Sequence, residues 1–242
     1  MFIVCKLLIL ILVLTLHGRV QGGKIIGGHK AMPHSRPYMA LLERRTQNVV
    51  KYCGAFLLSE DFVMTAAHCQ AESYNVILGF HKFSEKEKQN ISVDQAFPHK
   101  AYNATDYRND IMLLKLSSKA RFNKNVTSID LADQGDGSLP KSCFVSGWGR
   151  NNKNKPHMSC ELMEVNVTLI DDKFCALQNF YCSKGETGPA EGDSGGPLVC
   201  EDGKAYGVVS SVFIPHSGGP LIHCYAKISD YKSWMSLIMR NA

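Results

Sequence analysis

The chain has 242 residues, 45% of them hydrophobic and 20% charged, which suits one large domain or two small ones and excludes a disordered chain. Its formal net charge is +5, and removing the three cations that precede Ile25 (Lys6, Arg19 and Lys24) leaves +2. So mild a balance excludes nucleic acid as the expected partner, and runs such as Glu43-Arg44-Arg45 and Arg150 to Lys155 read as solvated loops.

The chain opens with Met1 to Lys6, followed by an apolar run from Leu7 to Leu16. That run is too short to span a bilayer, which needs about 20 residues. It fits the apolar core of a signal peptide over residues 1–22, with Gly22 and Gly23 at the cleavage site. No later segment reads as a membrane anchor, so the product is expected to be secreted or held in a secretory compartment. Short β-type runs then recur between polar turns: Tyr38 to Leu42, Cys53 to Leu58, Phe62 to Ala66, Asn75 to Gly79 and Ile111 to Leu116. After a polar, Gly-rich stretch (Ala132 to Ser138) that could join two halves, they resume at Cys143 to Gly147, Glu164 to Leu169, Pro197 to Cys200 and Ala205 to Ser210. This pattern predicts all-β barrels or sandwiches. Only the C-terminus reads as a helix: Tyr231, Trp234, Leu237 and Ile238 recur at helical spacing behind a Ser229 or Asp230 cap.

Of nine cysteines, Cys5 goes with the leader and eight remain, an even number suited to an oxidising compartment. Spacing alone does not fix their connectivity. No zinc spacing and no His-Glu-x-x-His occurs, so neither metal nor cofactor is expected. Asn90, Asn103, Asn125 and Asn166 each begin a glycosylation sequon.

The sharpest segment is Gly192-Asp193-Ser194-Gly195-Gly196-Pro197. It reads either as a Gly-rich turn with an incidental serine or as a nucleophile whose flanking glycines let backbone N–H groups converge on an oxyanion. A serine nucleophile needs a base, and His68 in Thr65-Ala66-Ala67-His68-Cys69 is the strongest candidate, though a single histidine is often only structural. The base needs an anionic partner. Asp110 stands at the head of the apolar run Ile111 to Leu114, where an unpaired acid is costly.

Taken together, Ile25-Ile26-Gly27-Gly28, the His68 and Asp110 motifs, Ser146-Gly147-Trp148-Gly149 and the Ser194 motif occur in an order that resembles the chymotrypsin-like serine proteases. The similarity runs from residue 25 to the C-terminal helix and points to the branch of granzymes and mast-cell proteases. It implies two packed six-stranded antiparallel β-barrels, about 25–130 and 131–228, and a helix at about 229–240. It also implies a triad in which Ser194 attacks, His68 takes the proton and Asp110 fixes the imidazole, with an oxyanion hole from the N–H groups of Gly192 and Ser194. Residues 23–24 become an activation dipeptide, and the freed amine of Ile25 pairs with Asp193. The implied disulfides are Cys53–Cys69, Cys143–Cys200 and Cys175–Cys182, with Cys160 and Cys224 left over and read as unpaired.

The specificity pocket departs from the pattern. Gly188 stands where trypsin-like enzymes carry an aspartate, and Ala190 replaces a cysteine of the usual pocket bridge. Pro189, Ser210, Ser211 and Val212 form the expected walls, and His223 lies either at the floor or outside the pocket. The preferred residue before the cut is therefore expected to be small or medium and uncharged. By resemblance the partners are protein substrates, serpin-type inhibitors and granule proteoglycan, the state is monomeric, and storage is in a cytolytic granule. The competing reading is a non-catalytic granule protein that binds partners on the same fold.

Overall fold

The structure, a computed structural model, describes residues 25, 27–133, 139–140, 142–150, 157–215 and 219–242. The signal peptide, the dipeptide Gly23-Lys24, Ile26, most of the Gly-rich stretch after Asp133 and most of the Arg150 to Lys155 run lie outside the described residues.

The first half is a closed barrel. Strands β2 (Met39–Thr46), β3 (Val49–Leu57), β4 (Phe62–Thr65), β5 (Ser73–Leu78), β6 (Gln89–Pro98) and β7 (Met112–Leu116) close in the order β2-β3-β4-β7-β6-β5, all antiparallel. Its lumen is filled by apolar side chains that cross-strand pairing puts on one face, such as Leu42, Leu57, Val63, Leu78 and Leu114. The second half is an eight-stranded antiparallel sheet. Its long members are β8 (Cys143–Gly147), β9 (Met163–Val167), β11 (Phe180–Lys184), β12 (Pro197–Cys200), β13 (Ala205–Phe213) and β14 (Ile222–Lys227). The order is β1-β9-β8-β12-β13-β14-β11-β10, with the two-residue strands β1 (His29–Lys30) and β10 (Leu169–Ile170) at its ends. The fold is thus the expected all-β one with a C-terminal helix; the first half is the expected six-stranded barrel, whereas the second, expected as another, is an eight-stranded sheet because the short strands β1 and β10 extend it at its ends.

Two elements differ from expectation. A five-residue helix, α1 (Lys173–Leu177), stands where only loop was expected. It is too short to show a helical period, and it is held by the Asp172 carboxylate, which accepts from Phe174 N and Cys175 N. The C-terminal helix α2 (Lys232–Asn241) follows a 3-10 turn at Ile228–Tyr231, and neither Ser229 nor Asp230 caps it. Ser229 Oγ bonds Asp230 Oδ1 instead, so both side chains are spent on each other. No described helix is long and apolar enough to cross a membrane.

The two halves meet at the Ser194 loop. Gly54 N on β3 donates to Ser194 O at 2.7 Å. Gly195 adopts φ +86° and abuts Thr65 Oγ1 and Gly54 O so closely that any Cβ there would collide. Only glycine meets both demands at once.

Candidate active site

His68 sits in a 3-10 turn, Ala67–Cys69, directly after β4. The disulfide Cys53–Cys69 fastens that turn to β3. Asp110 precedes β7, which pairs with β4, so neighbouring strands deliver the two side chains to one end of the barrel. His68 Nδ1 lies 2.7 Å from Asp110 Oδ2, and the His68 backbone N–H donates to Asp110 Oδ1 at 2.8 Å. Asp110 is fully buried. Its carboxylate can only accept, so the ring hydrogen belongs on Nδ1 and Nε2 keeps its lone pair.

Ser210 was expected in the pocket wall. The structure shows its Oγ donating to Asp110 Oδ2 at 2.6 Å. The cause is a bulge in β13: Val209 pairs with Tyr225 and Ser211 with Cys224, so Ser210 is the extra residue. A bulge re-aims one side chain, and periodicity in the sequence does not reveal it. Asp110 therefore has three donors.

Ser194 and His68 line one cleft of about 450 Å³. Within the Ser194 loop, the N–H groups of Asp193, Gly195 and Gly196 donate to Ala190 O, Val209 O and Asp193 O. Among the described residues those of Gly192 and Ser194 meet no protein acceptor. The alternation leaves two free donors beside the serine, with Gly192 at φ +98°. Such a pair suits a developing oxyanion.

Asp193 is fully buried and turned away from the cleft. Its Oδ1 accepts from Gly149 N at 2.8 Å and its Oδ2 from Ala190 N at 2.9 Å. The carboxylate presses on Gly147 and Gly149, where a Cβ would occupy its space. Burial pushes its pKa from 3.8 up to about 7, although the two backbone donors act the other way. No cation pairs with it among the described residues. Ile25 is also fully buried, in one apolar cluster with Val145 of β8 and Leu198 of β12; Gly147 ends β8 and Gly149 follows it.

The pocket residues come together only in part. His223 on β14 pairs with Val212 on β13 and Ser183 on β11, and its ring covers Gly188, whose Cβ position is 2.6 Å from Nε2. Pro189 is buried beside it and Ala190 is half-buried, while Val212 is 45% exposed at the rim and Ser211 is half-buried. His223 Nε2 lies 3.2 Å from Gly185 O, so it carries the hydrogen, and buried Nδ1 has no partner. Burial lowers the pKa of His223, against smaller opposing effects of the Gly185 carbonyl and Glu186, so the ring is neutral at neutral pH.

The structure joins Cys53 to Cys69, Cys143 to Cys200 and Cys175 to Cys182, and leaves Cys160 exposed and Cys224 buried without bridges. Cys53, His68 and Cys69 place ligand-type atoms close together, but both sulfurs are bonded to each other and offer no thiolate to a metal. Asn90 and Asn166 are exposed, and Asn103 and Asn125 half-buried.

Comparison with known proteins agrees with this geometry. The trypsin family model matches residues 25–235. Granzyme B(G,H) of Mus musculus is 40% identical over 98% of this chain and 100% of its own length. Granzyme B of Homo sapiens is 41% identical, covering 96% and 98%, and the chymase of Papio hamadryas is 40% identical, covering 95% and 96%. A solved structure described as that of GrC superposes with a TM-score of 0.78 at 35% identity, over 90% of this chain and 100% of the other. The chain therefore belongs to the trypsin family, in the branch of granzymes and mast-cell proteases, and is a serine endopeptidase.

Proposed function

We propose that this protease is made as an inactive precursor and, once Ile25 is freed, cuts peptide bonds through an acyl-enzyme on Ser194. The observation that carries the reading is the buried Asp110 carboxylate, held by two donors of His68 and one of Ser210 at 2.6–2.8 Å. That arrangement leaves the imidazole one task, to accept a proton at Nε2. Ser194 Oγ attacks the scissile carbonyl as its proton passes to Nε2. The N–H groups of Gly192 and Ser194 hold the oxyanion. His68 then gives the proton to the departing amine, and water activated by the same imidazole releases the acyl group. Ser194→Ala should fold and bind peptides yet lose essentially all hydrolysis. Parental turnover in that variant would refute the scheme.

The activation step follows from electrostatics. A buried carboxylate without a cation is expensive, and losing one partner of a buried pair costs about 3–5 kcal/mol. Cleavage after Lys24 gives Ile25 an ammonium group, and its pairing with Asp193 orders the Gly192 loop. On this reading residues 1–22 are the signal peptide, 23–24 the activation dipeptide, and 25–242 the protease domain.

The side chain preceding the cut enters against Gly188, His223 and Val212. Gly188 offers no carboxylate for Lys or Arg, and neutral His223 offers no cation for an acid. Its ring also takes up depth that a larger residue would need. Small or medium uncharged residues fit best. A positional peptide library that peaks at Arg, Lys or Trp would contradict this. Storage in secretory granules, binding of granule proteoglycan, control by serpin-type inhibitors, a monomeric state and glycosylation at the four sequons belong to the same reading and rest on the likeness to granzymes and mast-cell proteases.

A further inference from the structure

The cleft that holds Ser194 and His68 continues along β3 past Lys51 and is also lined by Arg44, Arg150 and Glu191. A second hollow of about 290 Å³ shares Arg44 and Lys51 and extends along the β2–β3 hairpin. Arg44 and Lys51 are direct cross-strand partners, so their side chains share one face. Like charges placed directly opposite each other destabilise a sheet, and here no carboxylate among the described residues relieves them.

Arg44 Nη1 reaches only the carbonyl oxygens of His68 and Gln70, both at 3.4 Å, and its buried Nε has no acceptor. Its neighbour on the other side, Tyr74 of β5, carries no negative charge to offset it. The third cation, Arg150, is already matched by Glu191 at 2.9 Å. Two unmatched cations thus face one cleft.

The chemistry fixes which part of a substrate meets them. His68 must pass its proton to the departing amine, so residues after the scissile bond lie on the His68 side. The residues before it lie towards β13 and His223. The Arg44–Lys51 cleft is on the His68 side, on the first barrel.

We propose that this cleft binds the segment following the scissile bond and selects substrates with Asp or Glu among its first four residues. This rests on the catalytic reading above and adds a substrate class to it. With Glu191 matched by Arg150, the unmatched charge in the cleft is of one sign, and such a cleft raises encounter with its counter-ion about tenfold or more at low salt, while salt screens the gain.

The test uses the activated full chain and peptides identical before the cut, carrying Asp, Ala or Lys after it. At low ionic strength the Asp peptide should exceed the Ala peptide about tenfold in kcat/KM, with the margin shrinking as salt is added. Lys51→Glu should reverse the order, so that the Lys peptide leads. Each ratio is taken within one protein, so a general loss of activity cancels. Equal rates for the three peptides, with fluorophosphonate labelling of Ser194 intact, would overturn the preference and leave the catalytic reading standing. Absence of both labelling and turnover would sink the catalytic reading and the preference with it.

Discussion

Asp110 shows how one residue organises the site. A carboxylate with no exposure survives because each oxygen has donors: His68 N on Oδ1, and His68 Nδ1 with Ser210 Oγ on Oδ2. Hydrogen bonds to charged groups contribute about 1.5–3 kcal/mol each. Ser210→Ala should therefore lower kcat about tenfold, by the usual conversion of about 1.4 kcal/mol per decade, with little change in KM; steady-state kinetics at neutral pH checks this. Unchanged kcat would mean that Ser210 merely fills space. The need for a partner at Asp110 was legible in the sequence, because an acid at the head of an apolar strand must be paid for somewhere. The Ser210 contact was not, since it depends on a one-residue bulge. His223 makes the same point about pockets. Its place opposite Val212 and over Gly188 comes from strand register, which one sequence does not reveal. His223→Ala should shift the preferred residue before the cut towards larger apolar side chains, as a peptide library would report, whereas an unchanged profile would place the size limit elsewhere.

At the scale of elements, strands with a clear apolar pattern were legible to within a few residues: β4, β7, β8 and β12 match their runs closely. Three long ones were not. In β6 only Ile91 is buried among ten residues, so its inward face is sparse. Strand β11 mixes Cys, Ser and Lys into five residues, and β14 carries His and Cys within an otherwise apolar stretch, so neither shows alternation. Both owe their place to neighbours on either side in the sheet. The disulfide pairings were available from family likeness and not from spacing. Among them Cys53–Cys69 bears most directly on function, because it ties the His68 turn to β3 across a separation of 16 residues. A loop of that size stabilises by roughly 3 kcal/mol. Replacing both cysteines by serine should lower the denaturation midpoint accordingly and reduce turnover more than substrate binding, measured by urea titration and by separate kcat and KM. Retention of both stability and kcat would show that strand pairing alone holds His68.

Over the whole molecule, the proposed activation turns on how one buried charge is balanced. With no cation beside it, Asp193 has a pKa raised from 3.8 to about 7. A raised folded value favours the protonated form, so this contribution to stability is present below about 4 and is lost as pH climbs to about 7. Burial lowers the pKa values of His81, His99 and His223, which acts in the opposite sense as pH falls below 6.5. Those histidines are common to precursor and cleaved chain. The difference in urea midpoint between the two forms should therefore widen in favour of the cleaved form as pH rises from about 5 to 7.5. Parallel profiles would mean that Ile25 does not serve as the counter-ion.

The most direct measurement is labelling by a fluorophosphonate probe before and after release of Ile25, with the modified residue located by peptide mapping. Ser194 should be labelled rapidly in the cleaved chain and far more slowly in the precursor. Adding one residue ahead of Ile25 should restore the slow rate. Equal labelling of precursor and cleaved chain, or a cleaved chain that does not label at Ser194, would contradict the account.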